Sequence, residues 1–358
     1  DKDFDKALKK HCEELQSSLN IEQGPIMAVG LFKDSSEQRH YLFMTIHHLL
    51  IDGISWRVLL DNFKIRLKQI SSGEDVKLPS LTNSYGDWSE ALIEYSKSEG
   101  LKEQKSYWQK ILHETNQALP VDFKARKGTI AEAQEIVNSL SVQETKDLLQ
   151  NINRAYGTQI NDILLSALVL AIEKWTGNSQ MTLWLEGHGR EDINEEIDIS
   201  RTLGWFTSLF PVHLSVADPH NLGNTIKAVK ENLRAIPQHG IGFGVLKYVG
   251  KQLEAPVLNL EEKSQISFNY LGQWSLEKEG DFRFSTKDIG KSLSPDNELE
   301  YGLNVISEVK DNCFTVYWLY SSCQYKKETI DRIAKSYIDF LRARIAHCTS
   351  ITDTQYTP

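Results

Sequence analysis

The segment Asn161 to Trp175 sets the strictest condition on how this chain can fold. Ile163, Leu164, Ala167, Leu168, Leu170 and Ala171 make it apolar around much of its circumference, and such a helix is stable only when covered on several sides. A large surrounding core is therefore expected. Gln134 to Leu140, Met181 to Leu185, Ile266 to Tyr270, Leu303 to Val309 and Cys313 to Leu319 read as strands, with Met181, Leu183 and Leu185 alternating with Thr182 and Trp184 in the second. Helical spacing recurs over Leu222 to Leu233 and in Ile330, Ile333, Ala334, Tyr337, Ile338, Leu341 and Ile345. Ser141 and Glu144 form a capping-box signature for one more helix. The fold class is α/β.

The first third of the chain has its own pattern. Phe4, Leu8, Cys12, Leu15 and Leu19 share one side of a helix, and Pro25 to Phe32 with Gln38 to Ile46 reads as a hairpin. Trp56, Leu59, Leu60, Phe63 and Leu67 predict an amphipathic helix over Ile54 to Gln69. A long helical stretch from Trp88 to Leu112 is expected to break near Gly100. From Pro120 to Gly128 the pattern lapses. At 358 residues the chain exceeds one ordinary core, so two lobes are expected, 1–125 and 126–358.

Composition narrows the function classes. A hydrophobic content of 40%, a charged content of 25% and the lack of a long apolar run predict a soluble, cytoplasmic protein. The formal charge of −9 disfavours nucleic acid as a partner. Cys12, Cys313, Cys323 and Cys348 have no close paired spacing, and no HExxH helix occurs. Neither a disulfide framework nor a metal site is expected. The chain starts at Asp1 and its first methionine is Met27, which reads as a piece of something longer.

Two stretches carry chemistry. In His47-His48-Leu49-Leu50-Ile51-Asp52-Gly53-Ile54-Ser55-Trp56, two histidines follow a strand and precede a helix. Adjacent residues on an extended backbone face opposite ways, so one histidine is expected to be chemical and the other structural. Asp52 is expected to brace the loop, and Gly53 to permit its backbone turn. In Glu186-Gly187-His188-Gly189-Arg190-Glu191, a carboxylate stands at a strand end. Either Glu186 projects into a cleft, where loss of water raises its pKa toward that of a useful base, or it pairs with Arg190 or Arg201. Pro237 to Gly244, with three glycines but no Lys-Ser/Thr pair, reads as a close-packing turn rather than a phosphate loop.

HHLLIDGISW, NDILLSALVLAI, EGHGRE, RTLGWFTSLFPV, PQHGIGFG and FNYLGQ, in that order from residue 47 to 273, resemble six core motifs of the condensation-domain superfamily of nonribosomal peptide synthetases, enzymes of antibiotic biosynthesis. EGHGRE combined with GWFTS and FNYLGQ resembles its epimerization domains. The resemblance implies a two-lobed, V-shaped fold like chloramphenicol acetyltransferase, each lobe a sandwich of sheet and helices, with a tunnel between. A front segment of the PIQxWF kind is not found, so the first lobe is expected to be incomplete.

The activity implied is inversion, L to D, at Cα of an aminoacyl or peptidyl thioester on the phosphopantetheine arm of a peptidyl carrier domain. That carrier would normally lie upstream in the same chain, with a condensation domain downstream. His48 and Glu186 are then the acid/base pair. Asn269 and Tyr270 are candidates for polarising the carbonyl or fixing the arm, and His47, Asp52 and Gly53 are structural. No soluble cofactor, metal or membrane is implied. The competing readings are a condensation or acyltransferase domain that uses His48 without Glu186, and an inactive module that only docks carriers. A stand-alone racemase finds no pyridoxal lysine motif.

Overall fold

The computed structural model describes residues 2–36, 38–113, 118–250, 265–274 and 284–351. Contacts group the chain into two compact units, each discontinuous in sequence. The first comprises Asp1–Glu90, Asn194–Phe206 and Leu276–Asn297, and the second Ala91–Ile193, Thr207–Ser275 and Glu298–Pro358.

In the first unit, helix α1 (Lys2–Ser17) packs on the antiparallel hairpin β1 (Met27–Asp34) and β2 (Arg39–Ile46). Leu8 and Cys12 are buried and Phe4 meets Tyr41 at 5.5 Å between ring centroids. The hairpin is apolar on both faces, a pattern suited to strands covered on both sides. Met27, Val29, Leu31 and Leu42 on its second face are exposed. Helix α2 (Gly53–Ser71) follows the histidine loop. Its predicted buried stripe is only partly covered: Val58 is buried, while Trp56, Leu59, Leu60, Phe63 and Leu67 are half-buried.

The second unit is built on a six-stranded sheet in the order β3-β8-β7-β6-β4-β5. These are β3 (Ala133–Ser139), β4 (Gln180–Gly187), β5 (Ser208–Ser215), β6 (Ile266–Trp274), β7 (Leu303–Lys310) and β8 (Cys313–Ser321). The β4–β6 and β6–β7 pairs are parallel and the rest antiparallel. The all-round apolar helix spans Ile160–Thr176, and every residue from Asp162 to Ile172 is buried. It is covered by the sheet and by the helices Leu222–Arg234 and Lys327–Ser350. No single helix among the described residues is long and apolar enough to cross a membrane.

Three expectations shift. The stretch from Trp88 to Leu112 is three helices, Tyr85–Tyr95, Glu99–Glu103 and Lys105–His113. Gly100 lies inside the middle one, whose start is set by Ser98 capping the Leu101 N–H, since a side-chain cap defines a helix end more strongly than one glycine disrupts it. Strand β4 is buried on both faces rather than alternating, because Thr182 and Trp184 are covered as well as Met181 and Leu183. Finally, the grouping differs from a single division after residue 125. Leu101, Trp108 and Leu112 join the core of the second unit, where Trp108 meets Phe210 and Phe243.

Candidate active site

The histidine loop is built by local hydrogen bonds. His47 has extended backbone, and its Nδ1 accepts from the Leu49 N–H at 3.3 Å, capping the single turn His48–Leu50. Asp52, buried, caps α2: one carboxylate oxygen accepts from the Ser55 N–H at 2.7 Å, the other from the Phe206 N–H at 3.1 Å. Asp52 thus braces the loop as expected, through backbone amides. Gly53 opens α2 without a left-handed backbone, so the loop owes its shape to the two caps rather than to glycine freedom.

The segment Leu203 to Phe206 is the loop's second wall within the first unit. Ser55 Oγ bonds both the carbonyl and the N–H of Gly204, and the Tyr85 hydroxyl donates to the Trp205 carbonyl at 2.9 Å. A Cβ on Gly204 would stand 2.2 Å from the Tyr85 ring, so the close approach requires glycine. Trp205 in turn meets the exposed His48 imidazole edge-on, with centroids 5.5 Å apart. Trp205 falls inside the GWFTS motif, yet no local pattern marks it as a neighbour of His48.

Asp52→Ala is expected to destabilise the protein by about 2–4 kcal/mol, combining loss of a helix cap with a buried Phe206 N–H left unpaired. Asp52→Asn, which keeps one acceptor, should lose roughly half of that. Urea denaturation of the three proteins checks both values.

In the second unit, Glu186 lies one residue before the end of β4. Leu185 pairs with Phe268 in the parallel β4–β6 register, which sets Glu186 beside Asn269. The Asn269 Nδ2 donates to the Glu186 carboxylate. Arg201 bonds Asn62 within the first unit. Burial pushes the Glu186 carboxyl up to about 7, with the negative charge of Glu300 adding to the rise and the Asn269 bond opposing it. The carboxyl ends of neighbouring parallel strands are where open α/β sheets bind ligands. Tyr270, next along β6, faces the opposite side of the strand and packs against the apolar core.

Beside Glu186 lies a feature absent from the sequence expectations. The buried Glu191 carboxylate is 2.7 Å from His239 Nδ1 and 3.5 Å from His188 Nε2. His47, His48, Asp52 and Gly53 thus form one cluster in the first unit, and Glu186 with Asn269 another in the second.

These features define a mixed α/β protein with an HHxxxDG loop in one unit and a strand-end carboxylate in the other. The whole chain, residues 1–357, matches the family described as Condensation domain, and the chain belongs to that family. It is similar to the solved epimerization domain from the third module of tyrocidine synthetase B, with a TM-score of 0.90 and 36% identity over 97% of this chain and 77% of that one. The first condensation domain of the calcium-dependent antibiotic synthetase shares the fold, with a TM-score of 0.65 and 14% identity over 96% of this chain and 73% of that one. Among curated relatives, gramicidin S synthase 1 of Brevibacillus brevis is 38% identical over 97% of this chain, and tyrocidine synthase 2 of Brevibacillus parabrevis 37% over 97%. The chain spans 33% and 10% of the lengths of those two relatives.

Proposed function

We propose that this chain epimerises the Cα centre, L to D, of an aminoacyl or peptidyl thioester tethered to the phosphopantetheine arm of a peptidyl carrier domain. The observation that carries the reading is Glu186: a carboxylate at a strand end, held by Asn269 and raised to about 7 by burial. A base or acid works best with a pKa near the working pH. The 36% likeness to a solved epimerization domain supports the same reading.

The chemistry follows from the substrate class. A thioester acidifies its Cα–H, and removal of that proton leaves a planar enolate. Inversion requires one group to take the proton from one face and another to return a proton to the opposite face. Glu186 and His48 take these roles, and Asn269 orients the carboxylate. The carrier domain is the partner, and a downstream condensation domain consumes the D-configured thioester. A condensation reading keeps His48 and assigns Glu186 no role.

The test is the protein with a carrier loaded with an L-aminoacyl thioester in deuterium oxide, followed by mass spectrometry and chiral analysis of the released amino acid. Deuterium at Cα together with D product is expected. Peptide bond formation with an added acceptor thioester, and no deuterium at Cα, would select the condensation reading. Carrier binding with neither reaction would select the docking-only reading.

A further inference from the structure

We infer that Glu191 is a positioning residue: by pairing with His239 it holds the left-handed turn at Gln238–Gly240 against the end of β4 and so fixes where Glu186 stands. This inference deepens the epimerase reading and rests on it for its kinetic readout.

The turn is an unfavourable one. Gln238 and His239 have φ of 44° and 48°, a region that residues with a Cβ adopt rarely. Gly240 follows at φ 90°, where a Cβ would stand 2.2 Å from the Phe210 ring. Two non-glycine residues in succession keep such backbone only if their surroundings hold them there.

What holds them is visible. The His239 side chain is 79% exposed, so apolar packing contributes little. Its Nδ1 instead meets the Glu191 carboxylate at 2.7 Å. That carboxylate is 8% exposed and, being removed from water, needs donors. His188 faces it as well. Because His188 Nδ1 accepts from the Arg190 N–H at 3.0 Å, its Nε2 is the nitrogen that carries a proton toward Glu191, at 3.5 Å.

The turn touches the strand that matters. The His239 carbonyl oxygen lies 3.7 Å from the point where a Cβ on Gly187 would stand, next to Glu186. Phe210, on which Gly240 rests, is the register partner of Leu185, on the other side of Glu186. The pair bridges residues 48 apart in the chain and joins the EGHGRE and PQHGIGFG motifs. If Glu191 releases His239, the turn relaxes toward right-handed backbone and the flank of Glu186 loses its support.

The experiment compares the wild type with Glu191→Ala, Glu191→Gln, and Glu191→Ala combined with His239→Gly, all in the full chain. Amide hydrogen exchange of the peptide covering 238–244 is read alongside kcat and KM for Cα inversion. In Glu191→Ala, amide protection is expected to fall about tenfold, and kcat by roughly 10- to 100-fold, since displacement of a reacting group by about 1 Å costs that much. KM should stay within about twofold of wild type because the substrate contacts remain. Glu191→Gln, with one acceptor left, should fall between. Adding His239→Gly should restore both protection and kcat to within about threefold of wild type, because glycine occupies the left-handed region without strain. Unchanged amide exchange in Glu191→Ala, or no rescue by His239→Gly, would overturn the inference. If the wild type shows no inversion, the epimerase reading fails, and the amide exchange alone decides whether Glu191 holds the turn.

Discussion

Glu186→Gln is expected to lower the rate of Cα inversion by about 10²- to 10⁴-fold, the range a positioned acid/base group supplies, while making the protein more stable above neutral pH. The second effect follows from the first residue's environment. The native carboxyl keeps its proton up to about pH 7, whereas in the unfolded chain it releases it near ~4.3. Between those values the native state binds more protons, so stability falls as pH rises through the window. The loss is on the order of 3–4 kcal/mol once Glu186 is fully ionised. Glutamine cannot ionise, and its amide keeps the shape of the side chain. Denaturation curves at pH 5 and pH 8 should therefore converge in the variant and remain separated in the wild type. Turnover has its own pH signature. Removal of the proton by Glu186 needs the carboxylate, so the direction of reaction that uses it as base should rise with pH through about 7.

His48→Ala is expected to lower inversion by a comparable factor while costing at most about 0.5–1.5 kcal/mol of stability, because among the described residues the exposed imidazole has one ring contact, to Trp205. The two variants should differ in what survives. With one base per face, each variant keeps the base for a single face. Each should exchange the Cα proton of one enantiomer with solvent, without inversion, and the enantiomers should be opposite in Glu186→Gln and His48→Ala. Deuterium uptake into L and D substrates, measured separately, reads this directly. The same enantiomer exchanging in both variants would rule out the two-base assignment. His47→Ala is the control: loss of its cap to Leu49 should perturb the loop but leave both exchange reactions measurable.

Much of this architecture was legible in the residues alone. The periodicity of Asn161 to Trp175 demanded burial on several sides, and the helix at Ile160–Thr176 has it. The capping box of Ser141 and Glu144 forms as read. Asp52 braces the loop, through the Ser55 amide three residues on. These interactions close within about one helical turn, so short-range spacing is enough to specify them.

The functional surroundings of Glu186 were not legible in the same way. Asn269 reaches it across 83 residues, through a parallel register between β4 and β6 in a sheet whose strand order departs from chain order. Residue types alone left open whether Glu186 pairs with an arginine or stands as a raised carboxyl. Burial and the charge of Glu300, both set by segments distant in the chain, are what raise it. The contact of Trp205 with His48 and the clamp of Glu191 on His239 are likewise products of chain segments meeting from afar. The sequence by itself determined the elements, their caps and the residue types available for chemistry, because those depend on neighbours within a few positions. Only the tertiary structure decided which side chains meet and how far each is removed from water, because register and burial are set by long-range packing.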